Sequence, residues 1–256
     1  MQRGAATRGK VAALVSGAEA IEIKATAPQR QIRRALTRYE LNAHNDELRF
    51  IYFFDTPQLD LLAAGIIARA RRIVGGDHDS TIKFRPVVPE KIAPPWRKYR
   101  DFKIEADASE KGVVKSASLS SPVKKGLIKR VAAGKTPIAA LFGAEQRAFL
   151  LSTAEKKIDY TKVVVLGPLR AQRWDFEDRA CPWPLTAELW RRGDGATLLE
   201  VSVKAPAYQA AAVSAGCMAF LAEVGAERDA AQQAKTRWAL RYYADKLARR
   251  PAKTRA

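Results

Sequence analysis

Charged side chains recur at every second position in several short stretches of this chain. Glu22 and Lys24 share one parity, as do Arg69 and Arg71. Lys83 and Arg85 do so with Thr81, Lys103 and Glu105 with Asp101, and Lys204 with Glu200 and Ser202. Arginine and lysine hold phosphoryl oxygens through charge-assisted hydrogen bonds. Carboxylates beside them would repel a bare polyphosphate, so acids on the same faces imply a divalent cation between them and the phosphates. Charge neutralisation, in-line positioning and a metal-activated nucleophile are the parts that phosphoryl transfer needs. These residue types suit the handling of a phosphate-rich anion.

The residues between the charges are apolar: Ile21 and Ile23, Ala68 and Ala70, Ile82 and Phe84, Phe102 and Ile104, Leu199, Val201 and Val203. That period of two predicts strands. Further strands are expected over residues 48–54, 149–152, 169–176 and 185–190. Helical stripes separate them. Residues 29–41 carry Ile32, Ala35, Leu36 and Tyr39 on one side. Ser121-Pro122 predicts a helix start that stops before Gly134, and Thr136-Pro137 a short helix closed near Gly143. Val213, Cys217, Phe220, Leu221 and Val224 form another stripe, and Asp229 is expected to open a last helix bearing Ala231, Ala234, Trp238 and Tyr242.

An ordinary antiparallel sheet turns its apolar face to a core and its polar face to water. Here the polar faces carry both signs of charge with few neutral residues, and the helices need an apolar surface to cover. A closed antiparallel β-barrel of the α+β class meets both demands, with helices wrapped around its apolar outside and a charged interior.

The 256 residues are 47% hydrophobic and 28% charged, enough for one large domain, and the formal net charge is +18. Such a balance favours anionic partners. Residues 1–17 and 248–256 read as basic tails flanking a domain at 18–247, with its C-terminal helices from about residue 206. Nucleic acid is expected only through those tails. The apolar runs are short and broken by charge, and no membrane span or secretory signal is expected. Cys181 and Cys217 lack metal-ligand spacing and are expected as reduced thiols of a cytoplasmic protein. The sequence carries no signature of oligomeric state.

The string YFFDTPQLDLLAAGIIARARR at 52–72 resembles the signature of the CYTH superfamily, the triphosphate tunnel metalloenzymes. IEIK at 21–24, TIKFR at 81–85, KIEAD at 103–107 and LLEVSVK at 198–204 follow in that family's order. The resemblance implies an eight-stranded tunnel that takes a triphosphate-bearing small molecule with Mg2+ or Mn2+. Lys24, Arg69, Arg71, Lys83 and Arg85 resemble the phosphate-holding cations, with Lys24, Arg71 and Lys83 in the catalytic positions. Lys204 joins them from its spacing. Lys103 is a further substrate-binding candidate, and Glu22, Glu200 and Glu105 are candidate metal ligands; Asp175 and Glu188 stay open.

Two positions depart from the pattern. Ala20 replaces the first acid of E-x-E-x-K, and because strand faces alternate Glu19 cannot take its place without a bulge or register shift. Ser202 stands where an acid would be usual. The resemblance therefore implies a divalent-metal-dependent triphosphate-binding protein that hydrolyses inorganic or small organic triphosphates. A non-catalytic binder with a degraded metal site and an adenylate cyclase are the alternatives.

Overall fold

The computed structural model describes residues 13–109, 112–155, 159–225 and 235–249. Nine strands form a closed barrel: β1 (Ala20–Ala27), β2 (Glu47–Asp55), β3 (Ile66–Ile73), β4 (His78–Phe84), β5 (Phe102–Ser109), β6 (Gly112–Val123), β7 (Val164–Asp178), β8 (Cys181–Arg191) and β9 (Thr197–Pro206). Their order around the barrel is β1-β5-β6-β4-β3-β2-β7-β8-β9, closing on β1. The β1–β5 pairing is parallel, setting Glu22 beside Asp107; the other eight are antiparallel. The expected eight-stranded antiparallel tunnel is thus corrected to nine strands of mixed direction.

The strand that sequence reasoning passed over is β6. Its Ser116, Ser118 and Ser120 alternate with Ala117 and Leu119, and it runs through Ser121-Pro122. Pro122 lies one residue from the strand's end, where a missing donor costs little. The helix expected from that pair starts later, as α2 (Leu127–Ala132), after α1 (Ile32–Arg38). The strand expected at 149–152 lies within α3 (Ala144–Thr153), where Phe149 is fully buried. On α3, Gln146 donates to the Ser80 and Leu119 carbonyls at 3.1 and 3.0 Å and so pins the helix to β4 and β6.

The barrel's outer face is apolar and helix-covered. Ile21, Ile23, Leu199, Val201 and Val203 pack under α1 and α4 (Ala210–Gly225), whose Val213, Cys217, Phe220, Leu221 and Val224 are all buried. Tyr52, Phe54, Ile66, Ile82, Phe102 and Ile104 pack under α2 and α3. α5 (Lys235–Ala248) differs, because Ala239, Leu240 and Tyr243 pack on Ile51, Phe53, Leu169, Ala171 and Trp190. Those five have the parity opposite to the outward residues of β2, β7 and β8, so α5 covers one end of the interior. A bulge at Gly167-Pro168 brings Leu166 into the same cluster, and the Tyr243 hydroxyl donates to the Pro168 carbonyl at 2.6 Å.

Two further expectations change. Cys181 and Cys217 form a disulfide, with Cα atoms 4.6 Å apart, tying β8 to α4. Cys181 sits on the outward face of β8 and Cys217 on the inward stripe of α4, a meeting that a 36-residue separation does not reveal. The thiol argument for a cytoplasmic location falls with it. By length and composition, residues 207–224 reach what a membrane-crossing helix needs, at mean hydropathy 1.2. The apolar stripe of that helix is nevertheless spent on the barrel. Val15 is already buried, so packing begins inside the N-terminal segment assigned to a tail. Asp229, Ala231 and Ala234, most of both basic tails and Lys111 lie outside the described residues.

Candidate functional site

Alternation sends the charged residues of β1, β4, β5 and β9 to the concave side, and the ion pairs confirm it. Lys83 on β4 reaches Glu105 and Asp107 on β5 at 3.6 and 3.8 Å, although β6 lies between those strands. Lys204 on β9 pairs with Glu105 across β1, and Arg49 on β2 with Glu188 on β8 across β7 at 3.5 Å. Neighbouring strands are about 4.8 Å apart, so side chains that skip a strand can meet only inside the curve.

The most crowded part of the interior surrounds Asp107. Its carboxylate lies 2.8 Å from the Lys24 ammonium, 3.8 Å from Lys83 and 3.6 Å from an Arg85 guanidinium nitrogen. Glu22 completes the group at 2.9 Å from Lys24. Burial opposes ionisation of Asp107, but Lys24, Lys83 and Arg85 outweigh it and hold the carboxyl well below the usual range. Lys24 is also desolvated, yet Glu22, Glu200 and Asp107 keep its ammonium above its ordinary value. Lys83 goes the other way: burial lowers it, Asp107 and Glu105 oppose that shift, and the like charges of Lys24 and Arg69 add to it. For Glu105, burial is outweighed by Lys83 and Lys204, and its carboxyl is held down.

Beside this group lies Arg69. Its Nε is buried without a hydrogen-bond partner, and burial together with neighbouring Arg71 lowers its guanidinium to about 10. Arg71 is instead held by Asp79, with Nε 3.0 and 3.1 Å from the two carboxylate oxygens and Nη2 at 2.8 Å from one of them. The strands that carry these cations are fixed from below. The Asp55 carboxylate accepts from the backbone N–H of Thr56, Leu61 and Leu62 at 2.7, 2.8 and 2.9 Å, shaping the turn between β2 and β3. Gly65 then crosses close to Arg85. Its φ is +74°, and a Cβ there would lie 2.6 Å from the Arg85 carbonyl oxygen.

A second acidic group sits toward α5. Glu188 and Glu200 are register partners on β8 and β9, and both face inward. The Lys235 ammonium on α5 contacts Glu188 and lies 2.7 Å from Glu200. Burial opposes the charge on Glu188, but Lys235, Arg49 and Arg69 hold its carboxyl far down. Lys235 is raised by Glu188 and Glu200 against its own burial.

The interior therefore brings together Lys24, Arg69, Arg71, Lys83, Arg85, Lys204, Glu22, Glu105 and Glu200 from the sequence-derived set. Lys103 is exposed on the same strand face as Glu105. Asp175 pairs with Arg173 and accepts from Thr186, in an exposed position. Sequence reasoning missed Asp107, Asp79, Arg49 and Lys235. Asp107 and Asp79 were legible by parity, two residues from Glu105 and Thr81. Lys235 was not, since it enters the barrel from a helix.

In fold the chain is similar to a candidate adenylate cyclase from Bacillus halodurans, with a TM-score of 0.59 and 13% identity over 86% of this chain and 97% of that one. It is also similar to a candidate adenylyl cyclase from Hippeastrum described as having dominant triphosphatase activity, with a TM-score of 0.55 and 19% identity over 84% of this chain and 92% of that one. At these identities the two likenesses show a shared barrel fold. No family model and no curated protein matches the sequence.

The resemblance in sequence implies a divalent metal, which would need converging acidic donors. Among the described residues no group of three or more acid, histidine or cysteine side chains converges to hold one. Glu22 and Glu105 are joined to Lys24, Lys83 and Lys204, and Glu200 to Lys235. With Ala20 and Ser202 supplying no carboxylate, the pairing of Glu22, Glu105 and Glu200 with lysines fits charge neutralisation better than metal ligation.

Proposed function

We propose that the barrel interior binds inorganic triphosphate or a small organic triphosphate. The observation that carries this reading is an excess of desolvated cation over carboxylate. Lys24, Lys83 and Arg85 share Asp107, with Glu22 also on Lys24 and Glu105 also on Lys83 and Lys204, and Arg69 beside them is buried with an unpaired Nε. Burial and neighbouring like charge hold the Lys83 ammonium and the Arg69 guanidinium below their ordinary values, so these two are only partly offset. A bound triphosphate supplies several anionic oxygens in a row, and each charge-assisted hydrogen bond is worth about 1.5–3 kcal/mol. Lys24, Arg69, Lys83 and Arg85 hold the phosphoryl groups in this reading, Arg71 orients one end from its bond to Asp79, and Lys103 and Lys204 draw the anion in.

Calorimetric titration of tripolyphosphate tests it. Binding in the micromolar range is expected, weakened about tenfold or more in Lys83→Ala and in Lys24→Ala. Equal affinity in both variants would refute it.

A second reading, favoured by the described activity of the Hippeastrum protein, is hydrolysis of the bound triphosphate. Mg2+ or Mn2+ is the proposed cofactor of that reading, and Glu22, Glu105 and Glu200 could serve as its ligands only by giving up their lysines. A panel of tripolyphosphate, thiamine triphosphate and ATP, scored for released phosphate and for cyclic nucleotide with each metal, separates hydrolysis, cyclisation and binding alone.

A further inference from the structure

We propose that the Lys235 ammonium is the resident cation of the Glu188–Glu200 carboxylate pair and holds the place a divalent metal would need. Two inward carboxylates on adjacent strands repel one another and require a counter-charge between them. Lys235 supplies it. Its Nζ contacts Glu188 Oε2, lies 2.7 Å from Glu200 Oε1 and sits 4.9 Å from the centre of the Trp190 ring. Those contacts supply two anionic partners and one aromatic face. The remaining Glu188 oxygen is 3.5 Å from an Arg49 guanidinium nitrogen, so the pair has cations on both sides.

The lysine is also tethered. Ala239, Leu240 and Tyr243 lie four, five and eight residues further along α5 and are buried against the inner residues of β2, β7 and β8. A lysine fixed by its own helix has a high effective concentration at the carboxylates, and a metal must displace it as well as shed its own water. No third acid converges on the pair among the described residues. The acid pair is therefore an ammonium site, and removing the ammonium should convert it into a site with affinity for a divalent cation.

The test uses Mn2+ alone, titrated into the full chain and followed by the loss of the free-ion EPR signal. Wild-type protein is expected to show no Mn2+ binding that depends on Glu188 and Glu200, so Glu200→Gln leaves its titration unchanged. Lys235→Met should gain about tenfold or more in Mn2+ affinity, because two carboxylates lose their counter-charge. Lys235→Arg, which keeps the charge, should show no gain. Adding Glu200→Gln to Lys235→Met should abolish it.

Unchanged affinity in folded Lys235→Met, or a gain that survives Glu200→Gln, would overturn the proposal. If Lys235→Met does not fold, the wild-type comparison decides, since a drop in Mn2+ affinity in Glu200→Gln alone would mean that metal already sits there. No triphosphate enters this test, so its failure leaves the anion-binding reading intact, and failure of that reading leaves the lysine's role intact.

Discussion

Replacing Arg69 by Met should make the protein more stable and the tunnel a poorer anion binder. A free guanidinium titrates above about 12, whereas burial, with the nearby Arg71 charge, lowers Arg69 to about 10. At roughly 1.4 kcal/mol per pH unit, the charged form costs the folded state about 3 kcal/mol. A base with a lowered folded value imposes that cost fully below the folded value, and the cost fades as pH rises from about 10 toward the unfolded value. It is therefore present at neutral pH. Methionine keeps much of the volume and leaves no buried Nε, so a gain of about 1–3 kcal/mol is expected once lost packing is allowed for. Binding should move the opposite way. One charge-assisted hydrogen bond lost from the triphosphate weakens it by about tenfold to a hundredfold. Denaturant unfolding without ligand and calorimetry with tripolyphosphate read the two effects separately. Lys24→Met is the contrast, since it strips a partner from buried Asp107 and should lower stability. An Arg69→Met variant that loses stability as Lys24→Met does, with unchanged triphosphate affinity, would refute the idea that unpaired cation is stored for the ligand.

Other outcomes follow from the same interior. Asp107→Asn releases Lys24, Lys83 and Arg85 and should tighten tripolyphosphate binding while lowering stability at neutral pH; weaker binding by calorimetry would count against the partner exchange. Because the folded-state value of Asp107 is lowered, its contribution is present above the ordinary carboxyl range and is lost as pH falls below about 4. The acid limb of the wild-type stability curve should therefore be steeper than that of Asp107→Asn. Gly65→Ala forces a side chain into a φ of +74° against the Arg85 carbonyl, and should cost about 1–2 kcal/mol or more in denaturant unfolding and weaken anion binding with it. Cys217→Ser opens a cross-link spanning 36 residues, which chain entropy puts at about 4 kcal/mol, read as a lower unfolding midpoint that reductant reproduces in the wild type.

Much of the barrel was legible because a strand states its faces locally. Ile21 and Ile23 against Glu22 and Lys24, or Ile82 and Phe84 against Thr81 and Lys83, name an outside and an inside without knowledge of the neighbours. β6 was the exception, since its inner face carries Ser116, Ser118 and Ser120 where the other strands carry charge, and Ser-Pro is also a helix-start signal. The buried stripe of α4 was readable for the same reason as the strands. What sits across the barrel was not. The parallel β1–β5 pairing, the Cys181–Cys217 bond and the meeting of Lys235 with Glu188 and Glu200 depend on how distant elements dock, which no local period encodes. Lys24, Arg69, Arg71, Lys83 and Lys204 were legible because each stands on a strand in the right parity, with Arg85 one residue past the end of β4. The partners of Glu105 and Glu200 come from other strands and from α5, so those ion pairs were not legible on any one strand.

The most direct test of the central claim is a crystal structure of the full chain with tripolyphosphate. The account predicts three linked phosphoryl groups inside the barrel, with oxygens in hydrogen-bonding reach of Lys24, Arg69, Lys83 and Arg85, and at least one of those cations turned away from Asp107. Tripolyphosphate bound on the outer surface, at the lysines of α2 and its flanks, with the interior ion pairs unchanged, would contradict it.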